Sequence, residues 1–427
     1  MIWAIFGTMV VLLLLGFPMM IPLVAGSLIG FVMLFGGIGQ LDTMVQQILG
    51  GIRPASLIAV PMFIFAADIM TRGQSANRLI DVVMAFFGHV RGGLAISTAG
   101  ACTMFGAVSG STQATVVAVG GPLRPRMLKA GYSDKFTLAL IINASDIAFL
   151  IPPSIGMIIY GVVSGTSIAE LFIAGIGPGL TILLMFSIYS YFHALRHDVP
   201  TEPRASWAER RRALLRALWP MGFPAIIIGG IYGGVFSPTE AAAACVLYAL
   251  FLEMIVFREM GFRQLYATAK STGLITAVVF ILVGAGAAFS YVISFAQIPQ
   301  AILAGIGIDE MGPYGVLFTI SIAFFIGCMF VDSIVVVLIL VPIFAPVVQA
   351  TGLDPVLVGT IITLQMAIGS STPPFGCDIF TAIAIFKRPY LEVIRGTPPF
   401  IVMLLGLTVA LIFFPQIALF LRDLAFR

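Results

Sequence analysis

The sequence predicts an all-α polytopic membrane protein with inverted repeats, each holding a re-entrant helical hairpin and an interrupted helix. Three observations predict this fold: the composition, the length of the apolar runs, and a pattern that recurs in both halves. Of the 427 residues, 60% are apolar and 10% are charged, against roughly 45–50% and about 25% in soluble domains. Several apolar runs reach the roughly 20 residues needed to cross a bilayer. A soluble multidomain protein is therefore excluded.

Ten apolar stretches are predicted to cross the membrane. They lie near residues 2–15, 17–37, 55–71, 136–163, 166–195, 218–236, 239–257, 272–297, 356–385 and 397–421. The first lacks the basic residues and cleavage site of a signal peptide, so we interpret it as a membrane helix. The polar stretch 196–216 is predicted to be a cytoplasmic connector that lies on anionic lipid headgroups.

Two further apolar regions, 92–123 and 313–345, are interrupted near their middle by small or polar residues. The interruptions are Ser109-Gly110-Ser111-Thr112 in the first region and Asp332-Ser333 in the second. Non-helical backbone is tolerated at membrane depth only where protein or a cavity surrounds it. Both regions are therefore predicted to be re-entrant hairpins.

The basic residues predict the topology. If both termini are outside and neither hairpin crosses, 19 of the 22 Lys and Arg residues fall inside, and only Arg53, Arg422 and Arg427 fall outside. This asymmetry fits the positive-inside rule. The net charge of +3 is thus explained by topology, and no nucleic-acid partner is predicted.

The two halves match at an offset of 221 residues. The aligned pairs are Gly106 with Gly327, Pro125 with Pro346, Gly131 with Gly352, and Pro152-Pro153 with Pro373-Pro374. Arg91 and Arg124 flank the first hairpin, whereas Asp309, Glu310 and Asp354 flank the second, so the repeats are predicted to be inverted. Inverted repeats with broken helices are typical of secondary transporters, which bind substrate near the midplane.

This pattern also predicts the division of the chain. Scaffold helices occupy 1–71 and 166–297, and a C-terminal helix occupies 386–427. The first repeat, 72–165, contains the hairpin 92–123 and the interrupted helix 136–163. The second repeat, 298–385, contains the hairpin 313–345 and the interrupted helix 356–385.

The proline pairs predict where ions bind. Proline has no N–H and clashes with the carbonyl four residues earlier, so the first pair is expected to unwind the chain from about Asn143 to Ser154. The oxygen-bearing residues beside the two breaks are Asn143, Ser145, Asp146 and Ser154 in the first repeat, and Gly369, Ser370, Ser371 and Thr372 in the second. Oxygen ligands of this kind suit a hard cation such as Na⁺.

Ionisable residues at membrane depth are functional candidates. Asp332 is the foremost because it lies on a hairpin tip, while Asp146 and Asp378 could be ion ligands, hairpin-locking acceptors or proton acceptors. Asp68 is expected to pair with Arg72, and Glu253 to reach the membrane interface. With no Lys or Arg at this depth, hydroxyls, helix N-termini and bound cations would have to hold an anionic substrate.

Several other sites are not predicted. The four cysteines lack CxxC spacing and the three histidines are scattered, so neither a disulfide framework nor a metal site is indicated. The sequence has no Walker A motif, which excludes ATP as the energy source of this chain.

Four segments resemble the large membrane subunit of tripartite ATP-independent periplasmic (TRAP) transporters. They are residues 106–114 (GAVSGSTQA), 151–154 (IPPS), 236–243 (FSPTEAAA) and 369–376 (GSSTPPFG). The resemblance implies a sodium-coupled, elevator-type importer of organic acids in the bacterial inner membrane, and no enzyme activity. It also implies two partners, a separate small four-helix membrane subunit and a periplasmic substrate-binding protein.

The same resemblance implies site residues. The first Na⁺ site would use Ser109, Gly110, Ser111, Thr112, Asn143, Ser145 and the backbone near Pro152. The second would use Asp332, Ser333, Gly369, Ser370, Ser371 and Thr372. Substrate would contact Ser111, Thr112, Ser154 and Ser333. Glu240, the only acid of the segment 236–243, is expected to cap a helix.

Three alternatives remain at this stage. A stand-alone symporter or exchanger of similar architecture would need no binding protein. An intramembrane aspartyl protease using Asp146 and Asp332 is disfavoured because the sequence lacks the Gly-x-Gly-Asp and Tyr-Asp contexts of such enzymes. A passive channel is disfavoured because two occluding hairpins suit alternating access better than an open pore.

Overall fold

A computed structural model of the chain describes residues 1–37, 39, 41–305, 307 and 311–426. Within these ranges the only regular elements are helices, which confirms the all-α class. Seven helices are long and apolar enough to cross a membrane, or eight if one bent pair counts as a single span. Asp309, Glu310 and Arg427, which entered the topology argument, lie outside the described residues.

The seven long helices include five in the predicted scaffold and both arms of the second hairpin. They are Ala55–Arg72, Ile168–Arg196, Trp207–Tyr232, Pro238–Val256, Phe262–Phe295, Pro313–Phe330 and Ser333–Ala350. Six apolar helices are shorter, and they include two at the N-terminus and halves of the interrupted helices. They are Ile2–Leu14, Met20–Phe35, Gly93–Ser109, Ile155–Ser164, Pro355–Ser370 and Cys377–Phe386.

The two repeats contain the same sequence of elements. The first consists of Gly93–Ser109, Thr112–Lys129, Asp134–Ser145 with the 3₁₀ turn Asp146–Phe149, and Ile155–Ser164. The second consists of Pro313–Phe330, Ser333–Ala350, Pro355–Ser370 and Cys377–Phe386. We call these the first and second hairpins and the first and second broken helices. Pro152-Pro153 and Pro373-Pro374 lie in the two breaks, each joined by a cis peptide bond.

The first break is shorter than predicted. Asn143 and Ser145 remain α-helical, and the helix tightens only at Asp146. The physical reason is that a proline disturbs the carbonyl four residues before it, which for Pro152 is Ala148. Unwinding therefore does not extend back to Asn143.

Three other boundaries differ from the sequence prediction. Helix Trp207–Tyr232 begins inside the predicted connector because Ser206 and Glu209 form a capping box. Helix Phe262–Phe295 begins before residue 272. The predicted C-terminal span is bent by 58° between Pro398–Phe413 and Gln416–Ala425, where Pro415 cannot donate a backbone hydrogen bond.

Four shorter helices join the main elements at positions where no span was predicted. They are Leu41–Gly51, Ser75–Phe87, Ile298–Gly305 and Tyr390–Ile394. Helix Phe262–Phe295 packs against Met20–Phe35, Leu41–Gly51 and the second hairpin. Gly286 of this helix permits the contact with the second hairpin, since a Cβ on Gly286 would lie 2.8 Å from the Cβ of Leu338.

The acids of the scaffold are held by hydrogen bonds. Glu240 forms a capping box with Ser237, as predicted. Asp68 accepts a hydrogen bond from Thr272 Oγ1 at 2.9 Å, and no ion pair joins it to Arg72 in the described part of the chain. Asp68 is therefore bonded to a neighbouring helix, and Arg72 attracts it from beyond ion-pair distance.

Glu253, predicted to reach the membrane interface, is fully buried within the π-helical turn Phe251–Val256. Its carboxylate accepts hydrogen bonds from Gln74 N at 3.2 Å, Ser75 N at 3.3 Å and Ser75 Oγ at 2.5 Å. These donors lie at the start of helix Ser75–Phe87, where a negative charge is favoured by the helix dipole. Spacing along the chain does not reveal this cap, because the donors and the acid are 178 residues apart.

We expect Glu253→Ala to destabilise the protein by about 1–3 kcal/mol, because it leaves buried donors unsatisfied. Glu240→Ala is the matched control, since Glu240 also accepts bonds at a helix start but is exposed, and it should cost less. Unfolding in mixed micelles measures both. Equal losses would contradict the capping role assigned to Glu253.

Candidate functional site

The tip of the first hairpin packs directly on the first break. Gly110 has a φ of +60°, and a Cβ there would overlap the carbonyl oxygen of Pro153. Its carbonyl accepts a hydrogen bond from Ile155 N at 3.5 Å. One turn earlier, a Cβ on Gly106 would lie 2.8 Å from the Cα of Ala148. Glycine is therefore required where the tip meets the broken backbone.

The second tip packs on the second break in a similar way. Gly369 lies against Cys328 with no room for a side chain, and Phe375 N donates to Met329 O at 3.1 Å. Asp332 Oδ1 caps the second arm by accepting from Ile334 N at 3.0 Å. Each predicted pairing of tip with break is thus present as a backbone contact.

Most hydroxyls at the breaks donate to carbonyls of their own helix. Ser145 donates to Ile141 O at 2.7 Å, Ser371 to Ile368 O at 3.0 Å and Thr372 to Ile368 O at 2.5 Å. The single O–H of Ser370 is shared between Ala367 O at 2.8 Å and Asp378 Oδ2 at 3.0 Å. Ser333 Oγ instead reaches the neighbouring helix, donating to Met366 O at 3.2 Å. These oxygens keep lone pairs that can face a cation.

Ser111 and Ser154 are used differently. Each caps a helix by accepting from a backbone N–H, that of Ala114 at 3.4 Å and that of Met157 at 3.2 Å. Their own O–H groups remain available as donors. At the same tip, the hydroxyls of Ser109 and Thr115 lie 3.2 Å apart.

Asp378 joins the two repeats. Its buried carboxylate accepts from Thr112 Oγ1 of the first hairpin at 2.8 Å and from Ser370 Oγ of the second broken helix at 3.0 Å. The tip of one repeat is therefore bonded to the break of the other. The offset of 221 residues could not reveal this contact, because it aligns Thr112 with Ser333.

Asp146 is also fully buried, but among the described residues neither of its carboxylate oxygens has a hydrogen-bond partner. Asn143 Oδ1 is buried and unpartnered too, while its Nδ2 donates to Ala139 O at 2.8 Å. The two residues lie three positions apart, which places them on one helix face. The hydroxyls of Ser371 and Ser370 face the Asp146 carboxylate from beyond 3.5 Å, and Asp378 is its like-charged neighbour.

This arrangement fits a cation. A buried carboxylate without a donor is costly unless a positive charge or a proton compensates it. Three unpartnered oxygens from Asn143 and Asp146 offer hard ligands of the kind that Na⁺ accepts. A site of three or more His, Cys, Asp or Glu ligands is absent from the described residues.

The predicted first site is only partly assembled. The structure brings Gly110 to the proline break and Thr112 to Asp378, but no hydrogen bond joins Asn143 or Ser145 to residues 109–112 in the described ranges. Ser145 instead contacts Cys102, with 3.8 Å between Oγ and Sγ. Spacing along the chain predicted the segments, and packing decided which of their members face one another.

The paired hairpins and broken helices define this chain as the membrane subunit of a secondary transporter. Residues 6–417 match the family model "Tripartite ATP-independent periplasmic transporter, DctM component". The chain belongs to this family, which confirms the resemblance predicted from its sequence. Its identification as a transporter subunit follows from this membership.

Relatives of known name support the same assignment. The chain is 82% identical to the ectoine/5-hydroxyectoine TRAP transporter large permease protein UehC of Ruegeria pomeroyi, over 99% of both chains. It is 75% identical to the ectoine TRAP transporter large permease protein TeaC of Halomonas elongata, again over 99% of both. The C4-dicarboxylate TRAP transporter large permease protein DctM of Pseudomonas aeruginosa is 36% identical over 86% of each chain.

A solved structure shares the fold. The YdaH transporter of Alcanivorax borkumensis, described as having an unusual topology, superposes with a TM-score of 0.61 at 15% identity and covers 88% of each chain. At this identity the similarity concerns the fold alone.

We expect Gly369→Ala to weaken the packing of the second tip on its break. The added methyl group must displace Cys328, and overpacking of this kind costs about 1–3 kcal/mol. Gly406→Ala is the control, because nothing lies within 4 Å of the added atom and alanine favours a helix. Thermal unfolding in detergent measures both; an unchanged melting temperature for Gly369→Ala would contradict the close contact.

Proposed function

We propose that this chain is the large membrane subunit of a sodium-coupled importer of ectoine or 5-hydroxyectoine. The unpartnered buried oxygens of Asp146 and Asn143 are the observation that supports ion coupling most directly. The two relatives at 82% and 75% identity support the substrate. Ectoine is a cyclic amino acid with a carboxylate. The substrate class predicted from the sequence, organic acids, is therefore narrowed here to a zwitterion.

The first Na⁺ would bind Asn143 Oδ1 and the carboxylate of Asp146, with further oxygens from Ser145, the Pro152 backbone and the tip residues 109–112. The second would bind near Asp332 and Ser333, with Gly369, Ser370, Ser371 and Thr372. The free O–H groups of Ser111 and Ser154 would hold the substrate carboxylate. Thr112 and Ser333 would join them on releasing the bonds that they donate to Asp378 and to Met366 O. Hydroxyl donors suit this role because no Lys or Arg lies at the tips or breaks.

The proposed movement is of the elevator type. Because Thr112 and Ser370 both bind Asp378, the hairpins and broken helices of the two repeats would move as one body. Helices Ala59–Arg72, Pro238–Leu250 and Phe262–Phe295 would belong to the static scaffold. The repeats would be inverted in a bacterial inner membrane, with both termini periplasmic as the basic residues predict.

Two partners complete the proposal, a small four-helix membrane subunit and a periplasmic protein that delivers the substrate. We expect proteoliposomes containing all three proteins to take up labelled ectoine when Na⁺ is higher outside, without ATP. A panel of C4-dicarboxylates and other carboxylates tests the substrate assignment. Undiminished uptake without sodium at constant membrane potential would contradict coupling, and full uptake without the binding protein would favour a stand-alone symporter.

We expect Asp146→Asn to raise the sodium concentration for half-maximal uptake by about 5- to 150-fold, because losing a charged partner in a buried site costs about 1–3 kcal/mol. Thr112→Ala and Thr372→Ala, which each remove one hydroxyl, should act in the same direction. Asp68→Asn is the control, since Asp68 is bonded to Thr272 in the scaffold. Titration of uptake with sodium measures this concentration for each variant. Wild-type sodium dependence in Asp146→Asn would show that Asp146 is not part of the ion site.

A further inference from the structure

A cluster of arginines where the scaffold helix Trp207–Tyr232 meets helix Ser75–Phe87, at the start of the predicted first repeat, is not used by the transport mechanism. A cavity of about 440 Å³ lies between the start of helix Trp207–Tyr232 and helix Ser75–Phe87. Four guanidinium groups line it, those of Arg78, Arg211, Arg212 and Arg216, together with Ala208, Leu215 and Trp219. We propose that this cavity, here called the arginine cavity, binds the phosphodiester headgroup of an anionic phospholipid.

The arginine cavity has a defined shape because its two helices are packed together. Ala217, Val82 and Val83 form a small buried apolar cluster between them. On helix Trp207–Tyr232, the cavity is lined by residues that lie three or four positions apart and so form one helical face. They are residues 208, 211, 212, 215, 216 and 219. Arg78 is held across from this face, with its guanidinium carbon 3.6 Å from the centre of the Phe257 ring.

The four arginines of the arginine cavity have no ion pair within the described residues, since no carboxylate lies within 4.0 Å of any of their guanidinium groups. Two acids attract them from a greater distance, Glu253 acting on Arg78 and Glu209 on Arg212. The nearest acid along the helix, Glu209, is occupied by the helix cap, with its Oε2 accepting from Ser206 N at 2.7 Å and Ser206 Oγ at 2.8 Å. Several converging arginines without acidic partners favour a phosphate, which offers several acceptor oxygens.

The surroundings favour a lipid over a soluble phosphate. Next to the arginines, the same helix exposes Leu214, Leu215, Leu218 and Trp219, each between 41% and 55% accessible. At 1.5 Å per residue, Arg216 and Trp219 are only about 4.5 Å apart along the helix axis. An exposed apolar band beside a basic one matches acyl chains below a headgroup, and tryptophan is enriched at this depth.

The test measures lipid binding to the purified full-length chain by native mass spectrometry, with phosphatidylglycerol, phosphatidylcholine and inorganic phosphate as separate probes. We expect phosphatidylglycerol to bind more tightly than the other two. The triple variant Arg211→Gln/Arg212→Gln/Arg216→Gln should weaken its affinity about 100-fold, at about fivefold for each arginine near an anionic headgroup. Arg78→Gln alone should weaken the phosphatidylglycerol affinity about fivefold. This single variant tests the proposal if the triple variant does not fold.

The matched control removes three exposed cations elsewhere, as Arg204→Gln/Arg263→Gln/Lys270→Gln, and should retain wild-type affinity. Retention of tight phosphatidylglycerol binding in both the triple variant and Arg78→Gln would overturn the proposal. An equal loss in the control would show attraction by net charge without a site. Binding of inorganic phosphate as tight as that of phosphatidylglycerol would replace the lipid by a soluble anion. None of these measurements depends on transport activity, so failure of the lipid proposal can be distinguished from failure of the proposed function.

Discussion

Broken backbone at membrane depth is the constraint on which the rest of this structure depends. The breaks at residues 150–154 and 371–376 leave peptide groups that no helix can pair, and lipid offers them no partner. The hairpin tips supply partners, through the bonds from Ile155 N to Gly110 O and from Phe375 N to Met329 O. The glycines at 106, 110 and 369 follow from this constraint, because a side chain at any of them would separate tip from break.

With the hairpin tips packed on the breaks, some buried polar groups of the interior have hydrogen-bond partners and others have none. Asp378 holds two hydroxyl donors and Glu253 holds donors from Gln74 and Ser75, so both stabilise the assembly. Asp146 has none. A buried acid without a donor beside others that are fully bonded is a place where ligand binding can change the energy of the fold, and it is the basis of the proposed ion coupling.

The scaffold has a different relation to its surroundings. Its helices hold their acids by hydrogen bonds, and within the described ranges no carboxylate forms an ion pair with the four arginines of the arginine cavity. The proposed elevator movement would need a frame that stays fixed in the bilayer. Charged headgroups held at one end of helix Trp207–Tyr232 would anchor that frame.

The sequence by itself determined the class of fold, the two repeats, the positions of the hairpins and breaks, and the family, because these depend on hydropathy, proline and glycine spacing along the chain. The tertiary structure alone decided which residues face one another. Thr112 meets Asp378 of the other repeat, Glu253 caps a helix 178 residues away, and Asn143 stays helical. Such contacts depend on how helices pack, and a periodic pattern in one dimension does not specify that packing.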